Sequence, residues 1–211
     1  MPNHVTNGVT IKHSDKKIFD EIIGKALKKD KESNDVFDFN AIIPMPEDLM
    51  VESGSAQVLG MACFKQDKFD EVSIYPWFKK RYPNVSTKEQ LKEHLENSED
   101  ERDHETVRLG KQVLDNIAKY GYPDWYDWSI NKWGTKWNAY SVEIISQDDT
   151  DEGKELNIEF DTAWSTPEGI WDELRRQGFE VNGVWLDEGG PYDYIGDGGN
   201  FYLSKSVEYW R

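Results

Sequence analysis

The sequence predicts an α+β layer fold, with strands near both ends of the chain and helices segregated from them. Three observations carry this. His4–Lys12 and Leu156–Trp164 alternate apolar and polar residues with the period of two of a half-buried strand. Ile18, Phe19, Ile22, Ile23, Ala26 and Leu27 recur with the spacing of an amphipathic helix. Few segments carry the long crossover pattern of a parallel sheet.

The elements follow in chain order. Val5, Val9 and Ile11 set against Thr6 and Thr10 give the first strand. Ser14 reads as the N-cap of a helix running to about Lys29, and Val36–Ile43 as a second strand stopped by Pro44 and Pro46. From Glu47 to Tyr120 the character changes, and Val51–Phe64 has no clear assignment. Tyr75–Tyr82 predicts a short helical turn, and Thr87 with Gln90 a capping box ahead of Leu91 and Leu95. The run EDERDHE reads as a solvated acidic stretch; Val107–Ile117 then predicts a helix ended by Gly121 and Pro123. Ala139–Ser146 is a strand and QDDTDEGK a polar turn. In the following strand the alternation puts Trp164 on the buried face and Glu159 and Asp161 outside. Ser165-Thr166-Pro167-Glu168 is a capping box with an early proline, opening a helix that buries Ile170, Trp171 and Leu174. Phe179–Leu186 is a strand, with Asn182-Gly183 a bulge or turn. Tyr192–Ile195 and Phe201–Val207 form a last pair. The expected organisation is an α+β domain of residues 1–46 and 122–211 interrupted by a mostly helical insertion, 47–121.

Composition narrows the function classes. Net charge is −16, and residues 141–200 carry −13 of it, with 16 Asp and Glu against Lys154, Arg175 and Arg176. Such a surface repels phosphate backbones, so direct nucleic-acid binding is disfavoured. No apolar run reaches the roughly 20 residues that span a bilayer, and the N-terminus lacks a basic flank and apolar core. The expectation is a cytoplasmic protein without membrane partners. Cys63 is the only cysteine, which leaves no internal disulfide or cysteine-rich zinc site; flanked by Met61, Ala62 and Phe64, it suits a core position. No phosphate-loop, G-x-S-x-G or H-E-x-x-H pattern occurs, so no catalytic residue, metal ligand or cofactor is assigned. His94 and His104 fit solvated helix faces better than a metal site, and Asp149-x-Asp151-x-Gly153 is only part of a calcium loop.

Two candidate surfaces remain. Residues 122–140 hold four of the nine tryptophans. Either these rings build the core, or Trp125, Tyr126, Trp128, Trp133, Lys136 and Trp137, with Trp164, line a binding groove. Asn131, Lys132, Thr135 and Asn138 would then hydrogen-bond the ligand, with Asp127, Asp161 or Glu159 as nearby carboxylates. The second surface is acidic: Glu159, Asp161, Asp172, Glu173, Asp187 and Glu188, which on one face would mimic a phosphate backbone and engage a basic site on a host protein.

Four blocks, MPNHVTN, FDFNAIIPMPEDL (Phe37–Leu49), WYDWSINKWGTKWNAY (Trp125–Tyr140) and FDTAWSTPEGIWDEL (Phe160–Leu174), resemble the YubB-like family of plasmid and bacteriophage proteins. The resemblance leaves Val51–Arg102 unmatched. It implies a ferredoxin-like domain, mainly antiparallel with helices packed on one face, and a mobile-element origin. The family carries no established activity, so no catalytic residue transfers. The expected function is an accessory protein acting by binding, with a small-ligand binder or enzyme at the Trp-rich cleft as the alternative.

Overall fold

The structure, a computed structural model, describes residues 3–189 and 192–197. The predicted strand at Phe201–Val207 lies outside the described residues. In chain order the elements are β1 (His4–His13), α1 (Lys16–Ala26), β2 (Leu27–Lys29), β3 (Asp35–Phe37), α2 (Ser55–Ala62), α3 (Gln66–Ser73), α4 (Pro76–Arg81), α5 (Lys88–Glu96), α6 (Glu101–Tyr120), α7 (Trp125–Lys132), β4 (Tyr140–Thr150), β5 (Gly153–Ala163), α8 (Glu168–Arg176), β6 (Glu180–Asp187) and β7 (Tyr192–Ile195). The fold is α+β. Contacts divide the chain into two compact units, one of residues 1–44 and 129–211, the other of residues 45–128.

In the first unit β4-β5-β1-β6-β7 form one sheet, every neighbouring pair antiparallel. Alternation gives the sheet two distinct faces. Val5, Val9 and Ile11 of β1 stand beside Thr162, Ile158 and Leu156 of β5, all fully buried. Phe19 and Ile23 of α1 and Ile170, Trp171 and Leu174 of α8 are fully buried as well, and Trp171 meets Phe160 of β5 with ring centres 6.0 Å apart. Both helices therefore belong to this face. Phe37, Phe39 and Trp133 extend the same core, with the Trp133 indole N–H donating to the Ile43 carbonyl at 3.0 Å.

The other face carries Thr6, Thr10 and Lys12 of β1, Asn157, Glu159 and Asp161 of β5, and Asn182, Val184 and Leu186 of β6. On the helix-covered side, where Gly183 of β6 stands opposite Val9 of β1, the strands approach closely: a Cβ on Gly183 would lie 2.1 Å from the Gly8 carbonyl oxygen. Gly183 is thus a point of close backbone approach inside a regular strand, not the expected bulge or turn.

Several elements depart from the sequence expectation. Asp15, not Ser14, caps α1: its carboxylate accepts from Lys17 N and Ile18 N. The helix stops at Ala26 because Leu27–Lys29 pair with Asp35–Phe37. The strand expected to reach Ile43 gives way to a 3₁₀ turn at Phe39–Ala41, where the Asp38 carboxylate accepts from Asn40 N. Pro167 occupies the N-cap of α8 without a side-chain cap, since Ser165 Oγ donates to the Gly134 carbonyl instead. Glu159, expected outside, is fully buried, and Trp164, expected inside, is 43 % exposed.

The second unit is helical around Leu59, Phe69, Phe78, Tyr82, Leu91 and Leu95. The unassigned Val51–Phe64 stretch supplies α2. The acidic run forms the first turns of α6, where Asp100 caps the helix and Glu101 and Asp103 suit the positive end of its dipole. Asp103 is buried and takes a 3.0 Å bond from Arg81. Helices α2 and α6 meet at a glycine pair: a Cβ on Gly60 would lie 2.3 Å from the Thr106 carbonyl oxygen, and one on Gly110 2.2 Å from the Gly60 carbonyl oxygen.

Candidate functional site

The tryptophan segment is divided between the two units. Trp125, Tyr126 and Trp128 lie in the second unit; Trp133, Lys136, Trp137 and Trp164 lie in the first. Trp128 and Trp133 are buried and serve as core, while Trp125 and Tyr126 are half-buried. Asp124, which the sequence reading passed over, organises the start of α7. Its buried carboxylate accepts from Tyr126 N and Asp127 N and takes a 2.7 Å bond from Gln57. Its position one residue before the first Trp and just after Pro123 is an N-cap signal. Burial and the nearby Asp124 raise the Asp127 carboxyl above its ordinary range.

What remains exposed is a compact aromatic group beside the paired ends of β1, β4 and β5. Lys136 Nζ lies 5.0 Å from the Trp137 ring centre and 4.8 Å from that of Trp164. The two indoles, 38 % and 43 % exposed, flank one cation. Trp137 meets Tyr140 edge-on at 6.3 Å, and Tyr140 meets His4 edge-on at 5.7 Å. The Tyr140 hydroxyl donates to the Thr162 carbonyl at 2.9 Å and lies 2.7 Å from His4 Nδ1. Burial, then Asp161 and Glu188, push the Tyr140 phenol up to about 12.

The backbone that presents Trp164 is strained. Its φ is +77°, a left-handed conformation that a bulky residue rarely adopts. Several contacts hold it there. Trp164 N donates to the Asn3 carbonyl at 3.0 Å, and Thr135 Oγ1 and Lys136 N donate to the Ala163 carbonyl at 2.8 and 3.4 Å. Behind the turn, buried Asn7 donates through Nδ2 to Thr162 Oγ1 at 2.9 Å, and that hydroxyl donates to the Ser165 carbonyl at 2.8 Å. A second left-handed residue, Ser141 at +52°, sits where β4 shifts register between Tyr140 and Glu143. Such strain persists only where surrounding structure over-determines it, and it concentrates at working sites.

The six acids of the second candidate surface are divided. Glu159 and Asp161 point to the face away from α1 and α8; Asp161 accepts from Thr6 Oγ1 at 2.8 Å and pairs across the strands with Tyr140. Glu188 lies at the same end and accepts from His4 N at 3.2 Å. Asp187 stands opposite Val5 on the helix-covered face. Asp172 and Glu173 belong to α8, where Arg175 and Arg176 pair with them; Glu173 accepts all three Arg176 contacts. The structure therefore assembles Asp161 and Glu188 beside the aromatic group and does not gather all six acids on one face. Glu143, directly across from Glu159, joins this end and was not singled out from sequence. Among the described residues no group of three His, Cys, Asp or Glu side chains is placed to hold a metal ion, and no helix is long and apolar enough to cross a membrane. No family, curated protein or solved structure matches this chain.

Proposed function

We propose that this chain is a binding protein that takes a basic segment of a protein partner at the Trp137–Lys136–Trp164 end of its sheet. The observation that carries the reading is the pair of exposed indoles already bracketing a cation, with Asp161 and Glu188 beside the adjoining Tyr140. Indole faces attract Lys and Arg through the ring quadrupole, at about 0.5–1 kcal/mol per exposed contact and more once water is excluded. The surrounding carboxylates add long-range attraction and selectivity for positive charge. Lys136 shows which chemistry the rings accept, and the excess of acid in residues 141–200 outweighs its single charge.

The reading extends to fold and origin. Strand β1, helix α1, strands β4 and β5, helix α8 and strand β6 follow one another as β-α-β-β-α-β, in the spatial order β4-β5-β1-β6. That connectivity supports a ferredoxin-like domain. The resemblance of four sequence blocks supports an accessory protein of plasmids or phages. The test is a pull-down from bacterial lysate at low and high salt with the wild type and Trp137→Ala. A basic protein retained only at low salt and only by the wild type supports the proposal. Equal retention by both proteins refutes it.

A further inference from the structure

The second unit presents a different surface at the α3–α4 corner. Ile74, Tyr75 and Trp77 are 66 %, 47 % and 47 % exposed, with Pro76 between them, whereas Phe78 immediately after is buried. Three large apolar side chains exposed within four residues are unusual for a chain of mean hydropathy −0.80. Pro76 at the first position of α4 fixes the turn, so the side chains are displayed by a rigid corner.

The charge around this corner is equally distinctive. Lys68, Arg81, Lys88, Lys92, Arg102, Arg108, Lys111 and Lys119 of this unit each pair with a carboxylate. Lys79 and Lys80, two and three residues past Trp77, are exposed and make no ion pair among the described residues. Ser73 and Lys79, on either side of the exposed residues, also line a hollow of about 240 Å³ with Phe69, Phe78, Tyr82 and Ser86.

We propose that this corner docks on an anionic phospholipid surface, with Ile74, Tyr75 and Trp77 entering the headgroup layer and Lys79 and Lys80 meeting lipid phosphates. Trp and Tyr favour the membrane–water interface because each joins an apolar ring to a polar tip. Lysines beside them add attraction that falls off within a Debye length, about 8 Å at physiological salt. Lys79 and Lys80 supply the unpaired positive charge beside the apolar residues, against Asp70 and Glu71 at the end of α3, of which Glu71 pairs with Lys68. A lipid surface fits better than an acidic protein because exposed Tyr75 and Trp77 join apolar rings to polar tips beside two lysines, a composition that partitions into a fluid headgroup layer without needing a matching groove.

The experiment is flotation with vesicles of neutral phosphatidylcholine, with and without phosphatidylglycerol, at low and high salt. The wild type should float with the anionic vesicles at low salt, weakly at high salt, and not with neutral vesicles. Trp77→Ala should weaken binding about tenfold, as loss of one buried aromatic ring implies. Lys79→Gln with Lys80→Gln should weaken it roughly 30-fold, from about fivefold per lysine. Met50→Ala, which removes another exposed apolar side chain of the same unit (69 % exposed), should change nothing. Absence of flotation overturns the proposal, as does flotation indifferent to Trp77 and the lysines. Binding to an acidic peptide without binding to vesicles also overturns it.

Discussion

At the scale of single residues, Trp164 joins stability to function. Its left-handed backbone costs roughly 1–3 kcal/mol in a non-glycine residue. Trp164→Gly removes that strain together with the ring, whereas Trp164→Ala removes the ring and keeps a Cβ. Thermal unfolding should therefore rank Gly above Ala by about 1 kcal/mol. Both variants should lose the second indole beside Lys136 and bind a basic peptide several-fold more weakly. An Ala variant as stable as the Gly variant would remove the strain argument. This exposure was not legible in the sequence: apolar alternation continues from Leu156 to Trp164, but the strand ends at Ala163 and the chain turns left-handed one residue later. Periodicity reports side-chain order, not where a backbone leaves the sheet. Cys63, by contrast, was legible from its apolar neighbours. Burial, with Glu96 nearby, pushes its thiol up to about 11. In the sign of the linkage, a raised thiol disfavours the folded thiolate, so stability falls as pH rises from the ordinary value of 9 through 11. At neutral pH a thiol reagent should label Cys63 no faster than the protein opens; fast labelling would contradict its burial.

Between elements, the contact of α2 with α6 depends on absent side chains. Gly60→Ala or Gly110→Ala would drive a methyl group against backbone, where nothing flexible can yield. Either change should destabilise the second unit by about 1–3 kcal/mol or more, measured by denaturant unfolding. Gly121→Ala, at the left-handed C-cap of α6 with open space around it, should cost only about 1 kcal/mol. The long strands β1, β5 and β6 and the α5 cap were legible because alternation and the Thr87 hydroxyl act locally; that hydroxyl accepts from Gln90 N at 3.2 Å. Helix α2 was not, because small residues that allow close helix packing weaken the apolar pattern that marks a helix. The first turns of α6 were hidden for another reason. Acids there satisfy the helix dipole and one is buried against Arg81, but as letters they look like solvated surface.

Across the molecule, the acidic excess was legible in the sequence, but where the fold puts those acids was not. The acid of residues 141–200 follows the chain, while the sheet sorts those residues by strand parity and helix face. Asp161 and Glu188 thereby reach the aromatic group, and Asp172 and Glu173 go to α8 with their arginines. Sequence proximity likewise suggested one tryptophan cluster, and the fold separates it into core rings and an exposed pair. The central claim is that this pair and its acids bind positive charge. Isothermal titration of a Lys- and Arg-rich peptide into the wild type, Trp137→Ala and Asp161→Asn tests it most directly. The account predicts wild-type binding that weakens steeply with salt, with about a three- to tenfold loss in each variant, corresponding to a cation–π or exposed ion-pair contact. Binding of equal strength in all three proteins, or binding that ignores salt, would contradict it.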